Sequence, residues 1–296
     1  MASALVGGTV LASVAAGCSD GGTGGDPGAL QVVVGFYPLQ YLAERVGGDL
    51  VDVSSLAQPG AEPHDLELSP QQIVQIADAD LVLYLGGVQP AVDDAVAENA
   101  SDTSFDALGA TSLEDGYQEL GTDEESGTDP HVWLDPTKYA ELAAAVAGRL
   151  ADIDPDNATT YDDNAASLVA DLTALDDEFE AGLGSCERTE IVTTHNAFGY
   201  LAARYGLEQV AISGLSPDDE PSPQKLAEVQ SFAQSHGVTT IFYEDAVSPD
   251  YAETIASQIG ARTAVLSPLE VVGDGEDYLS VMRTNLATLQ AALGCG

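Results

Sequence analysis

Positive charge is what this sequence has least of. Against 49 Asp and Glu stand only 8 Lys and Arg, a formal net charge of -41 over 296 residues. No basic stripe exists to contact phosphates, which excludes a nucleic-acid partner. Cysteine is nearly as scarce. Cys18, Cys186 and Cys295 form no CxxC pair and no zinc-finger spacing. Beyond residue 17 no apolar run is long enough to cross a bilayer as a helix. Histidine occurs four times, at 64, 131, 195 and 236, so each one needs a reason.

What is present is an ordinary globular apolar content, 45%, in periodic segments along the whole chain. That content and length suit two domains and exclude a disordered acidic tail. The acidic residues are spread along the chain. Clustering would have pointed to a cation-buffering patch; the even spread points to a solvent adaptation, and a halophile's surface is expected.

Residues 1–17 are small and apolar and end in Ala15-Ala16-Gly17 before Cys18. This reads as a signal-peptide core followed by a lipobox, although no Arg or Lys precedes the apolar run. Lipidation of Cys18 and anchoring to the extracytoplasmic face of the membrane are expected. The Gly- and Asp-rich residues up to 29 then form a flexible tether. Cys186 and Cys295 can pair in an oxidising compartment; their spacing does not decide it.

Strands and helices alternate through the rest. Strands are expected over 31–36, 51–56 and 81–85, and helices after Pro38 and after Ser69-Pro70, a capping residue followed by proline at the first helical position. The acidic stretch 114–130 reads as a loop, and Pro136 opens a helix. Tyr161, Leu168, Leu172, Leu175 and Phe179 recur on one side of a single long helix. The alternation then resumes to a closing helix over 277–293. The expected fold class is therefore α/β, with mostly parallel sheets in two lobes joined by that helix. The expected division is an export segment and tether over 1–29, one lobe over 30–156, the connecting helix over 157–184 and a second lobe over 185–296.

Three histidines share one kind of location. His64 lies in a loop after a strand, His131 in a loop before a helix, and His195 at the end of a strand, where open α/β sheets build ligand clefts. Three imidazoles from separate loops make a Zn²⁺-type set. Glu62, Asp65 and Asp135 stand close by in sequence and Glu244 ends another strand; such groups can orient an imidazole or add an oxygen. His236 precedes Gly237 at a helix C-terminus, where an imidazole complements the helix dipole.

The surrounding segments carry a resemblance. Pro-Gly-Ala-Glu-Pro-His64-Asp-Leu-Glu, Asp-Pro-His131-Val-Trp-Leu-Asp-Pro and Thr-Thr-His195-Asn-Ala-Phe-Gly-Tyr are similar to the ligand segments of the zinc/manganese-binding lipoproteins of ABC importers, the cluster A-I group. The resemblance covers most of the chain after the tether. It implies two α/β lobes, a metal between them, a permease as partner and a monomer. It also implies that this chain carries Zn²⁺ as cargo and is not an enzyme. Imidazoles favour Zn²⁺ over Mn²⁺, which prefers oxygen ligands. Where the family often has a fourth-ligand Asp, this sequence has Ser267, a poor ligand. The fourth position is left to water, Ser267, Glu244, Glu62 or Glu270. The loop over 114–130 lacks the histidines that many zinc-binding members carry there. Two rivals remain: a zinc hydrolase using three histidines and a water, with Glu244 as base but without an HExxH spacing, and a surface adhesin.

Overall fold

A computed structural model describes residues 28–58, 60–113, 117–118, 125–126, 128–217, 220–244 and 248–296. The export segment and Cys18 lie outside the described residues, as does nearly all of the tether. No helix among the described residues is long and apolar enough to cross a membrane.

Two parallel four-stranded sheets form the chain's framework. In the first, β1 (Leu30–Val34), β2 (Val51–Ser55), β3 (Leu81–Tyr84) and β4 (Ser104–Asp106) lie in the order β2-β1-β3-β4. Helices α1 (Tyr37–Gly47), α2 (Pro70–Asp78) and α3 (Pro90–Asn99) connect them. A two-residue antiparallel pair, β5 (Tyr117–Gln118) with β6 (Glu125–Ser126), falls in the acidic stretch expected to be all loop. After α4 (Pro136–Ile153) and α5 (Ala158–Leu183) comes the second sheet: β7 (Glu190–Thr193), β8 (Glu208–Ala211), β9 (Thr240–Tyr243) and β10 (Arg262–Val265), in the order β10-β9-β7-β8. Helices α6 (Gly199–Tyr205), α7 (Pro223–Ser235) and α8 (Asp250–Ile259) connect these strands, and α9 (Tyr278–Leu293) closes the chain.

Numbered within its own half, each sheet has the order 2-1-3-4. The strands spread in opposite directions from the boundary between the first and third of each sheet, the switch point at whose carboxyl ends open α/β sheets place ligands. Local chemistry sets the elements. The β-branched run Val32–Val34 is buried on both faces, as a parallel sheet covered by helices requires. Ser69 caps α2 by accepting the Gln72 N–H, and the Gln72 side chain reciprocates on the Ser69 N–H. Asp135 caps α4, its Oδ1 accepting both the N–H and the hydroxyl of Thr137.

Helix α5 is the long helix expected from its apolar stripe. Tyr161, Leu168, Leu172, Leu175 and Phe179 are all fully buried. At about 1.5–3 kcal/mol for each large apolar side chain, that stripe holds the helix in place far more than its own propensity does. It packs on α4, α1 and α9, and one continuous core runs through these helices and strands of both sheets. Cys186 and Cys295, just past the ends of α5 and α9, are disulfide-bonded.

Candidate metal centre

Each site residue enters from a different loop. His64 lies between β2 and α2, where Glu62 Oε1 accepts its backbone N–H at 2.9 Å. His131 precedes the short 3-10 turn Val132–Leu134 that leads into α4. Asp129 Oδ1 accepts both its backbone N–H, at 2.9 Å, and its ring Nδ1–H, at 2.8 Å. His195 follows β7. Its Nδ1 donates to Glu244 Oε1 at 2.6 Å, which also accepts the Thr194 hydroxyl at 2.7 Å. Glu270 comes from the loop after β10.

These loops converge. His64, His131, His195 and Glu270 each offer one donor atom, and all four atoms lie within 4.8 Å of one another. The three imidazole centroids stand 5.3–6.0 Å apart. The His131 and His195 side chains are fully buried and Glu270 nearly so; His64 keeps 9% of its side chain exposed. A carboxylate oxygen can only accept, so Asp129 and Glu244 place the proton on Nδ1 and leave the Nε2 lone pairs facing inward. Among the described residues, Nε2 of His131, Nε2 of His195 and Oε2 of Glu270 have no hydrogen-bond partner although buried. Orphaned buried polar atoms are rare and costly. Here they belong to residues that meet in one place, as donors around a cation would.

The electrostatics agree. Glu270 Oε1 lies 3.2 Å from His64 Nε2 and 3.6 Å from His131 Nε2. Burial opposes the charge on Glu270, but these histidines outweigh it and hold its carboxyl below the usual carboxylate range. His131 mirrors it. Burial works against its charged form, yet the hydrogen bonds and charges of Asp129 and Glu270 raise it to about 9. A cavity of about 450 Å³, lined by residues that include Tyr37, Gln40, Ser55 and Gln58, adjoins Glu270.

The sequence-derived candidates are sorted by this geometry. His64, His131 and His195 come together. Of the carboxylates open as a fourth donor, Glu270 joins the group. Glu244 stands behind His195, and Glu62 Oε1 accepts the His64 backbone N–H. Ser267 is buried with its hydroxyl accepting the Leu269 N–H. Asp135 caps α4, Asp65 is exposed, and His236 bonds the Phe232 carbonyl at the end of α7. Asp129 escaped notice in the sequence. Its signal is a carboxylate two residues before a histidine, together with Gly199: a Cβ there would come within 2.5 Å of Asp129 Oδ2.

Comparison with known proteins settles the family. Residues 32–292 match the family described as "ZnuA: Zinc-uptake complex component A periplasmic". The chain belongs to this family. Two curated relatives make the likeness specific. The zinc-binding lipoprotein AdcA of Streptococcus pneumoniae is 36% identical over 279 residues, covering 89% of this chain and 56% of that protein. This chain thus spans little more than half of that relative. The high-affinity zinc uptake system protein ZnuA of Bacillus subtilis is 35% identical, covering 89% and 88%. Among solved structures, the laminin-binding protein Lmb of Streptococcus agalactiae, described as a bifunctional protein with adhesin and metal transporting activity, superposes with a TM-score of 0.81 at 35% identity, covering 90% of this chain and 100% of that one. A zinc-bound variant of AdcAII from Streptococcus pneumoniae gives 0.81 at 32% identity over the same shares. These relatives are metal-binding and transport proteins, and both structural matches show the two-lobed α/β fold.

Proposed function

We propose that this chain is the extracytoplasmic receptor of a metal ABC importer, which captures one Zn²⁺ with His64, His131, His195 and Glu270 and delivers it to a permease. The observation that carries the proposal is the meeting of four donor atoms within 4.8 Å, two of them on imidazoles whose other nitrogen is held by a carboxylate. Three neutral imidazoles and one carboxylate suit tetrahedral Zn²⁺, whereas Mn²⁺ prefers an oxygen-rich octahedral shell. The relatives named for zinc uptake support the same reading.

The residues divide the work. Asp129 and Glu244 fix ring orientation and hold Nδ1 protonated, so each Nε2 already faces the site before the ion arrives. Glu270 neutralises one of the two cationic charges. His64, the least buried donor, on a loop, is the group best placed to let go first. Binding and release are the whole function; no turnover is proposed. A hydrolytic zinc site keeps one position open for water, and here Glu270 occupies the fourth place. Lipidation at Cys18, with the chain anchored outside the cytoplasm as a monomer, completes the proposal, and the acidic surface fits a high-salt environment.

The test is metal analysis of the chain purified in molar salt, followed by Zn²⁺/Mn²⁺ competition. One tightly held zinc per chain that excess manganese does not displace is expected. Equal competition by manganese would overturn the zinc assignment.

A further inference from the structure

The loop that presents Glu270 is held in an unusual shape. Among the described residues Leu269 is the one non-glycine with positive φ, at +64°. A branched side chain adopts that left-handed conformation reluctantly, so surrounding contacts must enforce it. Leu269 is fully buried and immediately precedes Glu270.

Hydrogen bonds from three directions enforce it. The Ser267 hydroxyl accepts the Leu269 N–H at 3.2 Å. Asn285, from α9, grips the Ser267 backbone twice: its Oδ1 accepts the N–H at 2.9 Å and its Nδ2 donates to the carbonyl at 2.7 Å. The Trp133 indole N–H donates to the Pro268 carbonyl at 2.7 Å, and the Trp133 carbonyl in turn accepts the Tyr278 hydroxyl at 2.6 Å. Ser267, Asn285, Trp133 and Tyr278 are all buried. Trp133 lies two residues after His131, so the same clamp ties the Glu270 loop to the His131 loop.

We infer that Ser267, Asn285 and Trp133 are positioning residues for the carboxylate donor: they hold Leu269 in its left-handed turn and so bring Glu270 onto the three histidines. The inference rests on the reading of Glu270 as a metal ligand. Ser267 then acts through a backbone bond and never touches the ion. Without the hydroxyl, Leu269 relaxes toward ordinary φ and the carboxylate is drawn away from its place.

The experiment uses the full chain in molar salt, loaded with Zn²⁺ for affinity and with Co²⁺ for its visible absorption, which reports the ligand set directly. Ser267→Ala is expected to weaken zinc binding about five- to tenfold, the worth of one buried hydrogen bond. It is also expected to shift the cobalt bands toward those of Glu270→Gln. Ser267→Thr keeps a hydroxyl and should restore both wild-type affinity and wild-type spectrum. Wild-type behaviour of Ser267→Ala overturns the inference. So does a weakened Ser267→Ala whose cobalt spectrum is unchanged, since the carboxylate would still reach the ion, and so does equal loss in the Thr variant. If Glu270→Gln itself changes neither affinity nor spectrum, the reading of Glu270 as a ligand fails, whatever Ser267→Ala does.

Discussion

At the scale of residues, the donors and their carboxylate partners make separable predictions. His131→Ala removes a donor and leaves Asp129 and Glu270 without their shared partner. Zinc affinity measured against a competing chelator should fall by two orders of magnitude or more. Asp129→Ala leaves every donor in place but frees the His131 ring, and a loss of roughly 10- to 100-fold is expected, the usual size of such an effect. Gly199→Ala should resemble it, because the new methyl strikes Asp129. The pH dependence follows from His131. In the metal-free chain it is raised to about 9, so near pH 7 it carries a proton that zinc must displace. Zinc binding at pH 7.5 should release about one proton per ion, and affinity should climb with pH toward 9, above the 6.5 of an isolated imidazole. Calorimetry in buffers of different ionisation enthalpy reads that number; no release would contradict it. For the metal-free chain the sign is opposite: stability from the raised group is complete below about 6.5 and is lost as pH rises through 9. The three histidines were legible because each stands beside a strand end or helix start. The choice of Glu270 over Glu62 and Glu244 was not, because it depends on the left-handed Leu269, which no local pattern announces.

At the scale of elements, α5 draws on the scarce cations. Three of the eight basic residues bind its carboxylates: Arg45 of α1 pairs with Asp171, Arg204 of α6 with Asp176 and Glu180, and Arg283 of α9 with Glu178. The Arg45 and Arg283 pairs are exposed enough that each contributes only about 0.2–1 kcal/mol. Arg204 differs, since Asp176 is buried and also accepts the Tyr205 hydroxyl. Arg204→Ala should therefore cost roughly 2 kcal/mol and lower the thermal midpoint by several degrees. A loss no larger than that of Arg283→Ala would contradict this. The long helix itself was readable from its stripe, as were the start of α2 at Ser69-Pro70 and of α4 at Pro136. Helix α3 and strand β4 were not. Helix α3 buries only Val92, Ala95 and Val96 among acidic neighbours, and β4 is a three-residue edge strand with a single large apolar side chain. Neither carries enough apolar periodicity to be read without the sheet that receives it.

At the scale of the whole molecule, -41 charges repel one another in every compact state. Added salt screens that repulsion, so the melting temperature should rise steeply from 0.1 M to molar sodium chloride, where the Debye length falls from about 10 Å to 3 Å. A midpoint insensitive to salt would count against a high-salt surface. The two-lobed α/β architecture was legible from the alternation of strands and helices. The matching 2-1-3-4 order of the two sheets was not, because strand order is set by crossovers and not by any one segment. The proposed function stands or falls with the closing of one four-donor site around zinc by the two halves. Zinc K-edge X-ray absorption of the loaded full chain tests it most directly. Three imidazole nitrogens at about 2.0–2.1 Å and one carboxylate oxygen at about 2.0–2.2 Å are predicted; a six-oxygen shell, or fewer than three imidazoles, would contradict it.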